Sequence, residues 1–326
     1  MYTPGSFSTA LLMTILTAVF WGSWANTYKG TRRYPFELFY WDYIIGVLIC
    51  ALAFAFTLGS TGGAGESFLV NLRATDTSNI ALAAVAGIIF NAANLLLVAG
   101  IDIAGLAIAF PIAIGIAVVE GVLLSYALQP KGNPAYLGAG LALAVAAILF
   151  DAAAYRRLTG AGAAVSRKGI IVNVVSGLLM GTFAPFVTRS MTAGHAMTPY
   201  GVMVLFASGA LACCFVVNIY FMKHPLVGPP VTFAGFPGAG ARNHLLGVAG
   251  GILWSCGMCL NFSAAGLVGV PISYAIGQSA PMIAALWGVV VWKEFAGADH
   301  KAWTFLKLMF ASYIAAIGLI ALAYNA

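Results

Sequence analysis

The chain has 326 residues, 62% of them hydrophobic and only 7% charged, with a formal net charge of +6 and a mean hydropathy of +0.97. Soluble domains carry about 25% charged residues and must offer polar surface to water, so this composition excludes a soluble fold and makes lipid the solvent. The positive charge does not mark a nucleic-acid partner, because the basic residues are few and sit in segments between apolar runs, as membrane topology requires.

The opening segment, MYTPGSFSTALLMTILTAVFWGSWANTY, has no basic stretch and no A-x-A cleavage signal. Its apolar run is long enough to span, so it reads as a first helix over 7–28 rather than a signal peptide. Apolar runs of about 20 residues then recur, each able to cross a bilayer. They predict helices over 38–58, 79–100, 104–128, 134–155, 169–190, 198–222, 243–265, 269–292 and 303–324. The fold class is all-α integral membrane with about ten spans. The connections 59–78 and 223–242 are rich in Gly, Pro, Ser or Thr and read as solvated loops. The five cysteines fall within apolar segments, where packing thiols are expected rather than disulfides; the Cys256–Cys259 pair has no accompanying metal-ligand pattern.

Lys and Arg are distributed unevenly between the two ends of the spans. Lys29, Arg32, Arg33, Arg156, Arg157, Arg167, Lys168, Lys223, Arg242, Lys293, Lys301 and Lys307 lie towards one side, against Arg73, Lys131 and Arg189 on the other. The positive-inside rule puts the first side in the cytoplasm, with both termini outside, in a cell (inner or plasma) membrane. The segment 156–168 becomes a short cytoplasmic linker between two five-helix halves, 1–155 and 169–326.

Those halves repeat. AGIIFNAANLLLVAGIDIAGLAIAFPIAIGIAVVEGVL from Ala86 aligns with GGILWSCGMCLNFSAAGLVGVPISYAIGQSAPMIAALW from Gly250. At one constant offset Gly87 meets Gly251, Phe90 meets Trp254, Gly105 meets Gly269 and Phe110 meets Tyr274. FWGSWAN from Phe20 likewise matches LMGTFAP from Leu179. With an odd number of helices per copy, the second copy is inverted in the membrane. Inverted repeats place a site near the midplane that opens alternately to either side.

Three acidic residues fall in or near the spans. Glu120, with no Lys or Arg nearby in sequence, is either a proton-coupling group or a carboxyl hydrogen-bonded to a neighbouring helix. Asp42 is expected to pair with Arg32 or Arg33, with proton coupling as its other reading. Asp151, one turn from Arg156, is expected to be a topology anchor. Amides and hydroxyls both donate and accept, which suits a neutral polar solute. Asn91 and Asn94 share one face of the third span, and Ser23 and Asn26 one face of the first. Thr182, Ser255, Asn261, Tyr274 and Gln278 lie at or near repeat-related places. Trp21, Trp24, Phe183 and Trp254 supply flat walls for a ring; the competing reading is that the polar groups only bind helices together. Pro111, Pro185, Pro271 and Pro281 are expected to interrupt spans four, six and nine and free carbonyls there.

Gly22–Ser23–Trp24, the Y-x-D-Y from Tyr40 to Tyr43, GGILWSCGMCLNF and the W-K-E-F from Trp292 to Phe295 together resemble the ureide permease and bacterial glucose/ribose (sugar) uptake families of the drug/metabolite transporter superfamily. The resemblance covers nearly the whole chain, although plant ureide permeases have a longer central linker. It implies a ten-helix secondary transporter importing a small neutral polar solute, a sugar such as ribose, glucose or rhamnose, or a ureide or nucleobase, with proton or sodium coupling. Export of drugs or metabolites is the alternative. An intramembrane enzyme is remote, because the four histidines are scattered over loops. No cofactor is implied, since the linker lacks GxxxxGK[ST].

Overall fold

The computed structural model describes residues 1–62, 65–159 and 166–325. Residues 160–165 of the predicted linker, 156–168, therefore lie outside the described residues. The helices are α1 (Phe7–Ser23), α2 (Ala25–Lys29), α3 (Phe36–Phe56), α4 (Phe68–Ala74), α5 (Thr77–Ala104), α6 (Leu106–Leu128), α7 (Pro134–Thr159), α8 (Arg167–Thr192), α9 (Pro199–Cys213), α10 (Ile219–Lys223), α11 (Ala241–Val268), α12 (Val270–Gly277), α13 (Ala280–Val290) and α14 (His300–Asn325). Among the described residues, nine stretches are long and apolar enough to span a membrane. The molecule is an all-helical, multi-pass membrane protein.

The predicted ninth span, 269–292, is broken into α12 and α13 at Gln278 and Ser279. Pro281 sits in the first turn of α13 and has no N–H to return to the carbonyl of Gly277, so the helix restarts rather than continues. Pro271 likewise opens α12 instead of interrupting a helix, while Pro111 and Pro185 lie inside α6 and α8. A second difference is α4, in a connection read as a loop. Phe68 is buried there with its ring edge-on to Phe56, and Asn71 accepts from the N–H of Thr198. Those contacts tie the connection to the helix bundle.

Helix packing repeats at the register of the sequence repeat. A Cβ at Gly251 of α11 would overlap the carbonyl oxygen of Tyr43 on α3, and one at Gly46 would overlap that of Val248. On the other pair, Gly87 of α5 meets the carbonyl of Phe206 on α9, and Gly209 meets that of Ala84. Small residues thus let backbones touch where lipid supplies no hydrophobic drive for helix association. Thr17 on α1 donates to the carbonyl of Gly257 at 3.0 Å, and Ser176 on α8 donates to that of Ala93 at 2.8 Å. Two helix junctions at the same register also turn on a left-handed glycine. Gly105 (φ 76°) joins α5 to α6 and Gly269 (φ 88°) joins α11 to α12, a conformation that a side chain would strain.

The bundle has two ends. At one, Asp76 accepts from the N–H of His195, Asn133 donates its N–H to Ala323, and Lys131 reaches the carbonyl of Leu267. At the other lie the 29–35 and 291–299 turns, where Arg32 and Asn243 exchange two hydrogen bonds and Arg157 faces Asp299.

Candidate solute cavity

A cavity of about 390 Å³ enters the bundle from the end carrying the 29–35 and 291–299 turns. Its size falls within the range of sites that enclose small molecules. Its floor is aromatic. Phe90 and Trp254, the repeat-related pair on α5 and α11, stack with centroids 4.8 Å apart. Trp21 lies nearly parallel to Trp254 at 6.2 Å, and Phe183 meets Phe90 edge-on at 5.3 Å. These rings converge because α1, α5, α8 and α11 each turn the same face inward, fixed by the close packing one turn away. The polar groups on the wall are Asn26, Asn94 and Gln278, the last at the break between α12 and α13. Asn94 donates to the Tyr40 hydroxyl at 3.0 Å, so its carbonyl oxygen remains for a ligand.

Towards the mouth the wall becomes charged. Lys29, Asp102, Asp151, Tyr155 and Glu294 line it together with Tyr28. Lys29 pairs with Glu294 at 2.6 Å and stands 5.3 Å from the ring centroid of Trp292. The Tyr155 hydroxyl donates to the other Glu294 oxygen at 3.0 Å. Trp292 donates its indole N–H to Asn26, and Trp287 donates to the Ser23 hydroxyl at 2.9 Å. These contacts tie α1 and α2 to the end of α13 across the mouth.

Of the residues singled out from sequence, Trp21, Trp24, Asn26, Asn94, Phe183, Trp254 and Gln278 line the cavity. The other residues expected to contact the solute lie outside its wall. Ser23 donates to Val19, Ser255 to the carbonyl of Val47, and Asn261 to that of Ser273. Asn91 accepts from Tyr40, and Tyr274 reaches the carbonyls of Ala117 and Met180. Thr182 donates to Leu178 and to Glu120, so Glu120 sits at the α6–α8 contact, with its second oxygen buried and unpartnered among the described residues.

Two expected pairings differ. Asp42 does not join Arg32 or Arg33; its carboxylate meets His244 Nδ1 at 2.9 Å and accepts from the Tyr34 hydroxyl at 2.7 Å. His244 is not in a loop but in the first turn of α11, where Gly247, one turn on, brings the helix against Asp42. Burial, and next the hydrogen bond to Asp42, push the Tyr34 phenol well above its ordinary pKa, so it remains a donor. Asp151 is the second case. Arg156 is exposed, and no ion pair joins it to Asp151 among the described residues. The carboxyl instead lines the cavity and is 7% exposed. Tyr28, Lys29, Asp102, Tyr155 and Glu294 were not anticipated. The available signal was Glu294 inside the W-K-E-F motif and Tyr155 one helical turn after Asp151.

The ureide permease family model matches residues 163–323. Ureide permease 1 of Arabidopsis thaliana is 21% identical over 392 aligned positions, covering 98% of this chain and 98% of its own. The chain is similar to ureide permeases. Ureide permease 2 of the same plant is 20% identical, with 97% of this chain and 96% of its own aligned. A solved crystal structure matches 95% of this chain and 99% of its own with a TM-score of 0.61, at 18% identity, a likeness of fold. The similarity is therefore to membrane transporters rather than to enzymes, over nearly the whole length.

Proposed function

We propose that the protein is a secondary transporter of a small, neutral, polar solute of the ureide type, working by alternating access. The observation that carries this reading is the cavity, in which stacked aromatic rings meet amide side chains. A planar solute with urea-like edges can stack on the Phe90–Trp254 floor while its N–H groups donate to the Asn94 carbonyl. The printed function of the plant relatives supports the same solute class. Sugars, the other class implied by the sequence resemblance, would use the same rings less fully because they are not planar.

The alternating mechanism rests on reading the two five-helix segments as inverted repeats. Matched glycine contacts, matched Thr17 and Ser176 hydrogen bonds and the paired Gly105 and Gly269 turns support it. The cavity opens to the end richer in Lys and Arg, which supports an inward-facing state in a cell membrane with both termini outside. Import would then be completed by closing the mouth and opening the opposite end.

The test is a thermal-shift screen of the detergent-purified protein against ureides, nucleobases, sugars and hydrophobic cations. A ligand that binds only the folded state stabilises it by mass action, by about 2.7 kcal/mol at a hundred times Kd, and so raises the melting temperature. Ureides are expected to stabilise most. Stabilisation by sugars alone would move the solute class, and stabilisation by hydrophobic cations alone would replace import with drug export.

A further inference from the structure

The cavity wall holds a buried carboxyl, that of Asp151, with an oxygen left unpartnered among the described residues. Asp151 lies in α7, eight residues from the helix end at Thr159 and so about 12 Å along the axis at 1.5 Å per residue. It is 7% exposed, and its Oδ1 is buried with no hydrogen-bond partner among the described residues. The elements packed on α7 are α14, α6 and α13. From α14 the facing group is Tyr313, itself fully buried with an unpartnered hydroxyl and within electrostatic reach of Asp151. From α7 itself comes Tyr155, and from the turn after α13 comes Glu294, hydrogen-bonded to each other. Helix α13 carries no titratable residue. On α6, Glu120 is turned to α8 and Tyr126 donates to the carbonyl of Gly132. The cation of the cavity wall, Lys29, is engaged by Glu294 at 2.6 Å.

We propose that Asp151 is the proton-binding group of this transporter. The proposal rests on the transporter reading above and adds the residue that couples it. While the cavity is open, water can solvate the carboxylate. When the mouth closes that water leaves, and an unpaired buried carboxylate is then strongly disfavoured in its charged form. Neutralisation is the way out, and a proton is the ligand that fits. Oδ1 is closed off, so a solute cannot contact it directly. A sodium ion needs a shell of several oxygens, whereas α7 and α14 are unbroken here and keep their carbonyls in helical hydrogen bonds. A proton needs one oxygen. In each cycle a proton passes from water on one side to the carboxylate, the protonated cavity closes, and the proton leaves to water on the other side. No bond other than O–H forms or breaks.

The experiment compares wild type and Asp151→Asn, as full chains in liposomes, with radiolabelled hydantoin, the simplest cyclic ureide, as the probe. Solute exchange without a gradient and accumulation driven by a pH gradient are read separately. Asn mimics the protonated acid, so the ratio of proton-driven accumulation to gradient-free exchange, each read on the same variant, is expected to fall about tenfold or more below that of wild type. Undiminished uphill accumulation by Asp151→Asn overturns the proposal. A parallel infrared titration of the purified proteins needs no solute. The carboxyl band that titrates in wild type should be missing from Asp151→Asn, and an unchanged spectrum overturns the proposal even if the solute class is wrong. If hydantoin moves in neither mode through wild type, the ureide reading fails while the infrared result still decides Asp151. If the asparagine variant does not fold, Asp151→Glu is used, and its titrating band must shift relative to wild type.

Discussion

Gly251 and Trp254 stand one helical turn apart on α11, and they serve opposite ends. At Gly251 the backbone of α3 lies where a side chain would be, against the carbonyl of Tyr43. At Trp254 a large ring borders an open cavity. Gly87 and Phe90 repeat the arrangement on α5, with the backbone of α9 in place of α3. Protein interiors are close-packed, and a void of about 390 Å³ survives only if its walls cannot collapse into it. The glycine contacts provide that restraint, because backbone pressed on backbone has no slack to give. Rigidity in one region is thus the condition for space in the other.

The largest expected effect comes from breaking the rigid region. Gly251→Val and Gly87→Val each place branched carbon atoms on a carbonyl that cannot rotate away. Overpacking costs about 1–3 kcal/mol and occasionally more, and a clash with backbone belongs at the top of that range. Both variants should melt well below wild type or fail to leave the size-exclusion column as a single species. A wild-type melting curve for either would mean that the helix register described here is wrong. Trp254→Ala should come next. Truncating a buried aromatic costs about 3–5 kcal/mol in a solid core, but Trp254 is part of a cavity wall, so the surroundings it packs against are incomplete and less contact is lost. Its stability loss should therefore be smaller than that of Gly251→Val, while solute-dependent stabilisation should disappear. If instead the variant keeps full ligand stabilisation, the aromatic floor is not where the solute binds.

The rigid region was more legible in the sequence than the cavity. Matching glycines at a constant offset marked the close contacts, because only glycine serves where two backbones meet. Nine of the ten apolar runs marked helices long enough to span among the described residues, because hydropathy reads length and polarity directly. The break at Gln278 was half visible. Pro281 announced a disturbance, but the sequence did not say that α12 would end before it. The cavity's aromatic floor was found through Trp254 and Phe183, whereas its charged mouth was missed. Lys29 and Glu294 are separated by most of the chain, and their pairing depends on how α2 meets the turn after α13. Asp151 was misjudged because Arg156 is near in sequence, yet its side chain is exposed while that of Asp151 lines the cavity. Asp42 was misjudged for the same reason, since His244 reaches it from a distant helix rather than from the adjacent loop. Local spacing predicts which face a residue shares, and it fails where the partner is supplied by another element.

The mouth itself should give the smallest effect on stability. Lys29 is about half exposed, with a side-chain exposure of 48%, and exposed ion pairs contribute about 0–1 kcal/mol. Lys29→Ala and Glu294→Gln should therefore leave the melting temperature close to wild type, with the small remaining difference fading as salt rises. Glu294→Gln also alters the partner of Tyr155, so it should cost slightly more than Lys29→Ala. Under the alternating-access proposal the mouth opens and closes, so it cannot be held by contacts as unyielding as those at Gly251, and weak ties are what such a cavity needs at its rim. Should Lys29→Ala destabilise the protein as much as Gly251→Val, the mouth would belong to the rigid scaffold. The moving part would then have to be sought at the opposite end, among the contacts of Asp76, Asn133 and Lys131.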